Sequence, residues 1–248
     1  MINIYTAKEI AIMRQGGRIL AKILKEIAKQ VKPGITTQYL DKVASDLIFS
    51  YGVQSSFKGF NNYPAVLCTS INEEIVHAVP SERILKTGDI LSLDLGIKFK
   101  GHCTDLALTK SVGKVDKKIT KLIEVTKKAL ELCIKQCKPG NHLGDIGWAI
   151  QNYVEKNKFN VIRDLVGHGV GKDVHEEPQI LNYGQRGEGI ELKPGMVLAL
   201  EPMVCIDNWR IEKCEDGFGY RTKDRGLTAH FEHTITITKK GPKILTKI

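Results

Sequence analysis

Residues 85–94, LKTGDILSLD, return later in the chain as residues 192–201, LKPGMVLALE. Each copy joins a glycine turn signal to an aliphatic run whose side chains alternate between two faces, and each run ends in a carboxylate. Asp94 and Glu201 therefore occupy the same position in two similar units. The repeat predicts a duplicated fold whose halves contribute equivalent acidic groups.

Three other pairs of segments repeat in the same order. They are KQVKPG and KQCKPG at 29–34 and 135–140, VHAV and its looser counterpart GHGV at 76–79 and 167–170, and DLALT and EHTIT, which open on Asp105 and Glu232. Each half therefore carries a histidine and two carboxylates. We expect one polar site on a pseudo-two-fold axis between the halves.

The length and composition of the chain bound the number of domains. Its 248 residues, 42% hydrophobic and 26% charged, have the composition of an average globular protein. One domain of this length can bury most of its apolar surface, and no Gly/Ser-rich linker separates the halves. We predict a single domain over residues 1–248, with an internal repeat of about 5–112 and 113–248.

The N-terminal sequence and the charge pattern indicate a location and exclude some partners. The segment MINIYTAKE lacks the regions of a signal peptide, and no apolar run approaches the roughly 20 residues of a membrane span, so we expect a cytoplasmic protein without membrane contact. Six cysteines are too sparse for a disulfide framework and are expected to be reduced. The net charge of +9 attracts polyanions, but the scattered lysines favour a solvated surface over a sequence-specific nucleic-acid site.

Helical and strand patterns alternate in each half. Apolar residues at helical spacing predict one helix from Thr6 to Pro33 and a second that stops near Gly52. The later half repeats this pair, with a third helix up to Pro139 and a fourth around residues 146–154. Strands are predicted at residues 65–70, 89–98, 102–111, 196–204 and 231–238. The predicted fold class is α+β.

The strand pattern also predicts where the acidic side chains point. Asp94, Asp105, Glu201 and Glu232 lie on the strand face opposite the large aliphatic residues. The aliphatic residues are expected to face the helices. All four acids should therefore lie on the open face of the sheet.

A hairpin between the first two strands would bring two of these acids together. If its loop residues are Phe99 and Lys100, Asp94 and Asp105 stand directly opposite, with Cβ atoms about 4.5–5.5 Å apart. Such a pair of carboxylates needs a compensating cation or a shared proton. With the acids of the second half and His168, the set suits two divalent ions such as Mn, Fe, Co or Zn better than a lone zinc.

Six short motifs follow one another along the chain. They are NEEIVH (72–77), Asp94 with Asp105 eleven residues later, GHGVG (167–171), HEEP (175–178), Glu201 with Pro202, and EHT (232–234). Each alone is a weak signal, whereas the whole set at this spacing is specific. By these motifs the chain resembles, from about residue 5 to the end, the type I methionine aminopeptidases, the short bacterial form of the pita-bread metallopeptidases. The resemblance implies one catalytic domain with the pita-bread fold, in which two duplicated lobes form an antiparallel sheet backed by two helix pairs.

The resemblance also implies roles for the polar residues. Two divalent ions (Co, Mn, Fe(II) or Zn) would be bound by Asp94, Asp105, His168, Glu201 and Glu232. Glu201 would accept a proton from the attacking water, His175 would stabilise the developing oxyanion, and His77 would contact the substrate near the scissile nitrogen. The implied activity of this monomeric enzyme is removal of initiator methionine from nascent polypeptide N-termini, favoured by a small second residue.

Selectivity for methionine requires an apolar pocket with polarizable or aromatic walls. By position within the matched segments, the side chains predicted to bind substrate beside His77 and His175 are Phe57, Phe60, Tyr63, Cys68, Val174 and Phe218. Core packing is the competing explanation for each of these six.

Three other residues concern the surroundings of the metal ions. Family members commonly carry histidine two residues before the second aspartate, where this chain has Cys103, with His102 displaced by one. Support of Asp105 from that position is therefore in question. His230 lies two residues before Glu232, on the same strand face, and is expected to reach the metal ions as an outer group.

Two other functions remain open from the sequence. A proline-specific pita-bread peptidase would resemble the chain in its own C-terminal half but would normally add a large N-terminal domain. A non-catalytic relative that contacts ribosomal RNA through the +9 charge would be expected to lose metal ligands, and all five are present. Transient ribosome contact by the enzyme itself is a separate hypothesis.

Overall fold

The computed structural model describes residues 2–248 and contains two pairs of long helices. The pairs are α1 (Ala7–Gln30) with α2 (Thr37–Ser50), and α3 (Lys117–Ile134) with α4 (Leu143–Lys156). The first helix starts where the sequence predicts, because Thr6 and Glu9 form a reciprocal capping box. Within residues 2–248, none of the helices combines the length and the apolarity that a membrane crossing would require.

The described residues also form fifteen strands, most of them short. They are β1 (Gln54–Ser55), β2 (Leu67–Ile71), β3 (Glu74–Val76), β4 (Ile90–Phe99), β5 (His102–Ser111), β6 (Asn160–Val161), β7 (Gly167–Gly169), β8 (Glu176–Ile180), β9 (Val197–Leu200), β10 (Met203–Cys205), β11 (Ile211–Lys213), β12 (Tyr220–Thr222), β13 (Thr228–His230), β14 (His233–Thr238) and β15 (Gly241–Ile244). The first half builds a sheet in the order β1-β4-β2, with β5 beside β4, and the second builds β15-β14-β9-β7-β8. The predicted strand 196–204 is divided between β9 and β10, because Pro202 has no N–H for a strand ladder.

The internal repeat recurs in the backbone hydrogen bonds. The Gly34 N–H donates to the Leu85 carbonyl at 2.8 Å, and the Gly140 N–H donates to the Leu192 carbonyl at 3.1 Å. These four residues belong to segments that the sequence pairs as copies. Equivalent turns therefore tie each helix pair to the strand that carries the first acid of its half.

Two hydrophobic cores follow the two halves. One core contains buried side chains between Leu20 and Val112, packed among α1, α2 and the β4–β5 hairpin. The other contains buried side chains between Ile119 and Ile237, with Ile90 as its one member from the first half. Each helix pair thus covers its own strands and leaves the opposite strand face free for polar groups.

The β4–β5 hairpin has a different register from the predicted one. Phe99 pairs with His102, so the loop residues are Lys100 and Gly101, not Phe99 and Lys100. Their φ angles are 48° and 81°, and a two-residue hairpin turn of type I′ requires positive φ at both positions. Glycine tolerates this conformation best, which explains why the turn is centred one residue later.

The shifted register changes how the two aspartates meet. Asp94 pairs with Ala107, and Asp105 pairs with Gly96, so the prediction that the aspartates stand directly opposite is wrong. They are diagonal neighbours on one face, which still allows contact between side chains. A Cβ atom at Gly96 would lie 2.5 Å from the Phe57 ring, so glycine lets this ring pack beside the acids.

Threonine hydroxyl groups link β5 to β13 and β14 at the acidic face. The Asp105 N–H donates to the Thr234 hydroxyl, which in turn donates to the Asp105 carbonyl, both at 2.8 Å. Thr109 and His230 form the same reciprocal pair at 2.8 Å. The Glu232 N–H also donates to the backbone of β5 at 3.0 Å. These bonds bring an acid of the first half beside an acid of the second.

Candidate metal centre

Four carboxylates and one imidazole converge where the halves meet. One cavity of about 110 Å³ is lined by all five predicted ligands, Asp94, Asp105, His168, Glu201 and Glu232. Ligand atoms of Asp105, His168 and Glu232 lie within 4.8 Å of one another. The structure therefore brings together residues that are up to 138 positions apart, from Asp94 to Glu232.

Unpaired buried oxygen atoms show what this cluster lacks. Asp94 Oδ1 and Glu232 Oε1 are buried and have no hydrogen-bond partner within residues 2–248. None of the cavity-lining residues in this described part of the chain is a lysine or arginine. An ionised carboxylate is stable in a buried site only when it is paired or bound to metal, and hard oxygen ligands suit divalent cations. The residues present therefore fit a divalent metal site.

The pKa values of three of the acids are raised for the same reason. Burial raises the pKa of Asp94, Glu201 and Glu232 well above the usual carboxyl range, and the negative charge of Asp105 raises each further. Bound cations reverse this effect because they favour the ionised carboxylate. Without cations, burial therefore favours the protonated forms of these three acids.

His168 is oriented as a metal ligand. Its Nδ1 lies 2.8 Å from the Gly169 carbonyl and donates to it, which leaves Nε2 directed toward Glu201 Oε1 at 3.4 Å. Burial lowers the pKa of His168 to about 3, and the nearby ring of His175 contributes. The ring is therefore neutral at physiological pH, the form that binds metal ions.

The residues around the ligands differ in what they contact. His230 Nε2 lies 3.4 Å from Glu201 Oε2, so this buried histidine is placed beside a ligand, as an outer group would be. His102 instead lies near Glu9, with His102 Nε2 and Glu9 Oε1 3.7 Å apart. The hydroxyl of Thr234 supports the backbone of Asp105, a role that sequence reasoning missed although Thr234 shares a strand face with Glu232.

An apolar wall lines the same cavity beside the acids. Five of the six side chains predicted for the methionine pocket line it, namely Phe57, Phe60, Tyr63, Cys68 and Phe218. Val174 does not line the cavity; it is buried behind this wall in the apolar cluster that contains Tyr63 and Cys68. Asn61, which sequence reasoning missed, also lines the cavity, and its φ of 48° is tolerated better by asparagine than by most residues.

His77 and His175 are the two histidines of the cavity that are not predicted metal ligands. Both line the cavity, and burial lowers the pKa of His77 to about 4, so it is neutral at physiological pH. His77 has a φ of 61°, an uncommon backbone conformation of the kind that clusters at functional sites. The His175 ring lies edge-on to the His168 ring, with centroids 4.4 Å apart, and edge-on to the Phe60 ring at 5.1 Å.

The sequence pattern of metallopeptidase family M24 matches residues 11–239. The chain belongs to metallopeptidase family M24. It is 46% identical to methionine aminopeptidase 1 of Bacillus subtilis (strain 168) over 248 residues, which cover 100% of both chains. The crystal structure of the methionine aminopeptidase from Thermotoga maritima superimposes with a TM-score of 0.98, at 44% identity over 100% of both chains.

A solved structure of lower sequence identity has a similar fold. The prolidase from Pyrococcus horikoshii OT3 has a TM-score of 0.77 at 23% identity, over 98% of this chain and 63% of that chain. This likeness concerns the fold alone. Together, these structures confirm the predicted α+β pita-bread fold, and membership of M24 makes the chain a metal-dependent hydrolase.

Proposed function

We propose that this protein removes the N-terminal methionine from new polypeptides by hydrolysing the first peptide bond, with a preference for small second residues. The observation that carries the proposal is that one small cavity is lined both by an apolar aromatic wall and by the five metal-binding groups. A methionine side chain held by this wall would place its carbonyl carbon against the acids. Relatives over the full length of the chain are methionine aminopeptidases, which supports the same activity.

Different residues of the cavity have different roles in the proposed reaction. Two divalent ions, held by the five ligands, would lower the pKa of a water molecule and supply hydroxide near neutral pH. Glu201 accepts the proton of the attacking water and passes it to the leaving amine. His175 donates a hydrogen bond to the carbonyl oxygen as negative charge develops there, and His77 contacts the substrate near the scissile nitrogen.

Peptide hydrolysis tests this function directly. We expect the metal-free protein, reloaded with Co, Mn, Fe(II) or Zn one at a time, to release methionine from Met-Ala-Ser faster than from Met-Lys-Ser, because the second side chain must fit beside His77 and His175. Ala-Pro peptides should be poor substrates, because alanine leaves the aromatic wall uncovered. Faster cleavage of Ala-Pro would show that the protein is a proline-specific peptidase instead.

We also propose that residues 1–248 act as one catalytic domain with an internal repeat of about 5–112 and 113–248. The two hydrophobic cores divide near this boundary. The ligands support a single unit because Asp94 and Asp105 come from the first part and the others from the second. Neither part contains a complete site.

We further propose that the protein is a cytoplasmic monomer that contacts the ribosome transiently. A basic groove supports the ribosome contact. It is lined by Arg14 and Arg18 of α1 and by Lys239 and Lys243 of the β14–β15 hairpin. In the described part of the chain none of these four forms an ion pair, and no acidic residue lines the groove. Unpaired cations in such a groove fit the phosphate backbone of RNA.

Reversing charge in the basic groove should weaken ribosome binding. We expect the double variant Arg14→Glu/Arg18→Glu to lose most of its co-sedimentation with ribosomes at low salt, while its hydrolysis of Met-Ala-Ser is unchanged. The control, Lys117→Glu/Lys118→Glu, makes the same change of net charge at exposed positions of another helix. Equal binding by both variants, or wild-type binding that does not fall with salt, would contradict the proposal.

A further inference from the structure

The segment before α1 is fixed to the body of the protein through Tyr5. The Tyr5 N–H donates to the Gly195 carbonyl at 2.8 Å, and the side chain is only 7% exposed. Its ring packs against Gly171, where a Cβ atom would lie within 1.8 Å of the Tyr5 hydroxyl oxygen. Tyr5 therefore lies against the loop that leads into β8, and only glycine at position 171 permits this contact.

The carboxylate of Glu176 accepts hydrogen bonds from Tyr5 and from two other residues. The Tyr5 hydroxyl donates to its two oxygen atoms at 2.7 and 2.8 Å, the Asn3 side-chain amide donates at 2.8 Å, and the Asp173 N–H donates at 3.2 Å. The Tyr5 hydroxyl also accepts from the Lys172 N–H at 3.1 Å. Tyr5 and Glu176 thus fasten the loop of residues 172–176 at both of its ends.

His175 directly precedes Glu176 and is the group that this loop presents to the cavity. Within residues 2–248 no hydrogen bond is made to the His175 ring, which is held only by edge-on packing against His168 and Phe60. The direction of the ring therefore depends on the backbone of residues 172–176. That backbone is held by the Tyr5–Glu176 contact, together with the pairing of Glu176 with Gly169 and the bond from the Gly171 N–H to the Asp173 carbonyl.

We propose that Tyr5 is a positioning residue: through the carboxylate of Glu176, it holds the loop of residues 172–176 so that His175 points at the reacting carbonyl. The inference rests on the proposed function, in which His175 donates to the developing oxyanion. Tyr5 touches neither the substrate cavity nor its ligands. Its effect on turnover is therefore exerted through His175 alone.

The variant Tyr5→Phe tests this role because it keeps the ring against Gly171 and removes only the hydroxyl. We expect kcat for Met-Ala-Ser to fall about tenfold, since small misplacements of a catalytic group have large effects on rate. KM should change less than twofold, because the aromatic wall is untouched. Hydrogen–deuterium exchange in residues 170–177 should become faster. Tyr51→Phe, at an exposed tyrosine, is the matched control and should alter neither property.

A double-mutant comparison separates positioning from general destabilisation. In a His175→Ala background, Tyr5→Phe should cause no further loss of kcat, because the group it positions is already absent. An equal tenfold loss in both backgrounds would overturn the proposal, as would unchanged exchange in residues 170–177. If the wild-type protein released no methionine, the proposed function would fail, whereas the exchange experiment would still decide whether Tyr5 holds the loop.

Discussion

Replacing Glu201 by glutamine is expected to lower the turnover of Met-Ala-Ser by about a thousandfold while the protein still folds. The Glu201 carboxylate lies 3.4 Å from His168 Nε2 through one oxygen and 3.4 Å from His230 Nε2 through the other. Glutamine has the same shape and can keep these contacts. It cannot accept a proton, so the attacking water would lose its base. The measurement is the rate of methionine release at saturating substrate and metal.

Metal content decides how a loss of rate in Glu201→Gln is interpreted. Glu201 is both a predicted ligand and the predicted base, so bound metal should be counted in the same preparation. Turnover lost with metal retained identifies Glu201 as the base, whereas wild-type turnover would refute that role. Glu191→Gln, an exposed glutamate outside the cavity, is the matched control and should be fully active.

The sequence predicts the metal cluster because two independent regularities agree. The internal repeat pairs Asp94 with Glu201 and Asp105 with Glu232, and the two-residue period of a strand places each acid opposite the aliphatic side chains. Neither regularity depends on the register of the hairpin, which was inferred from an assumed pair of loop residues. Both therefore hold although the predicted register is wrong.

The hairpin register and the lining of the methionine pocket are harder to predict from the sequence. The turn forms at Lys100 and Gly101 because positive φ is required at both positions, and only the glycine signals this in the sequence. For Val174, position within a motif did not distinguish a side chain that lines the cavity from one packed behind it. Val174 and Cys68 are equally buried, at 3% exposure, although only Cys68 lines the cavity, so burial alone does not identify a lining residue.

Contacts between distant segments could not be predicted where neither the repeat nor a motif links the two residues. Thr234 supports Asp105 across 129 positions, and Tyr5 bonds to Glu176 across 171. A threonine in a strand or a tyrosine before a helix has no local pattern that names its partner. Such residues determine how well the ligands and His175 are held, and only the folded structure identifies them.

The metal-free protein should become less stable as the pH rises from 7 to 8. Burial raises the pKa of Asp105 to about 7 and raises those of Asp94, Glu201 and Glu232 well above the usual range. In the unfolded chain these acids are ionised above about pH 5. The folded state therefore binds more protons, and its stability is lost as the pH rises through the raised pKa values. We expect Tm to fall by about 5 °C over this unit of pH.

Two other kinds of group also titrate between pH 7 and 8. Burial raises the pKa values of the buried cysteines, so ionisation of the unfolded thiols adds a fall of the same sign. The buried histidines have lowered pKa values, so their effect has the opposite sign, and it fades above pH 7 as the unfolded histidines lose their remaining protons. Added Mn²⁺ should raise Tm, and by more at pH 8 than at pH 7, because the ionised acids bind it more tightly. Glu232→Gln should flatten the pH dependence of the metal-free protein and reduce the effect of Mn²⁺. A metal-free Tm that rises between pH 7 and 8, or that does not respond to Mn²⁺, would show that these acids do not form a cation site.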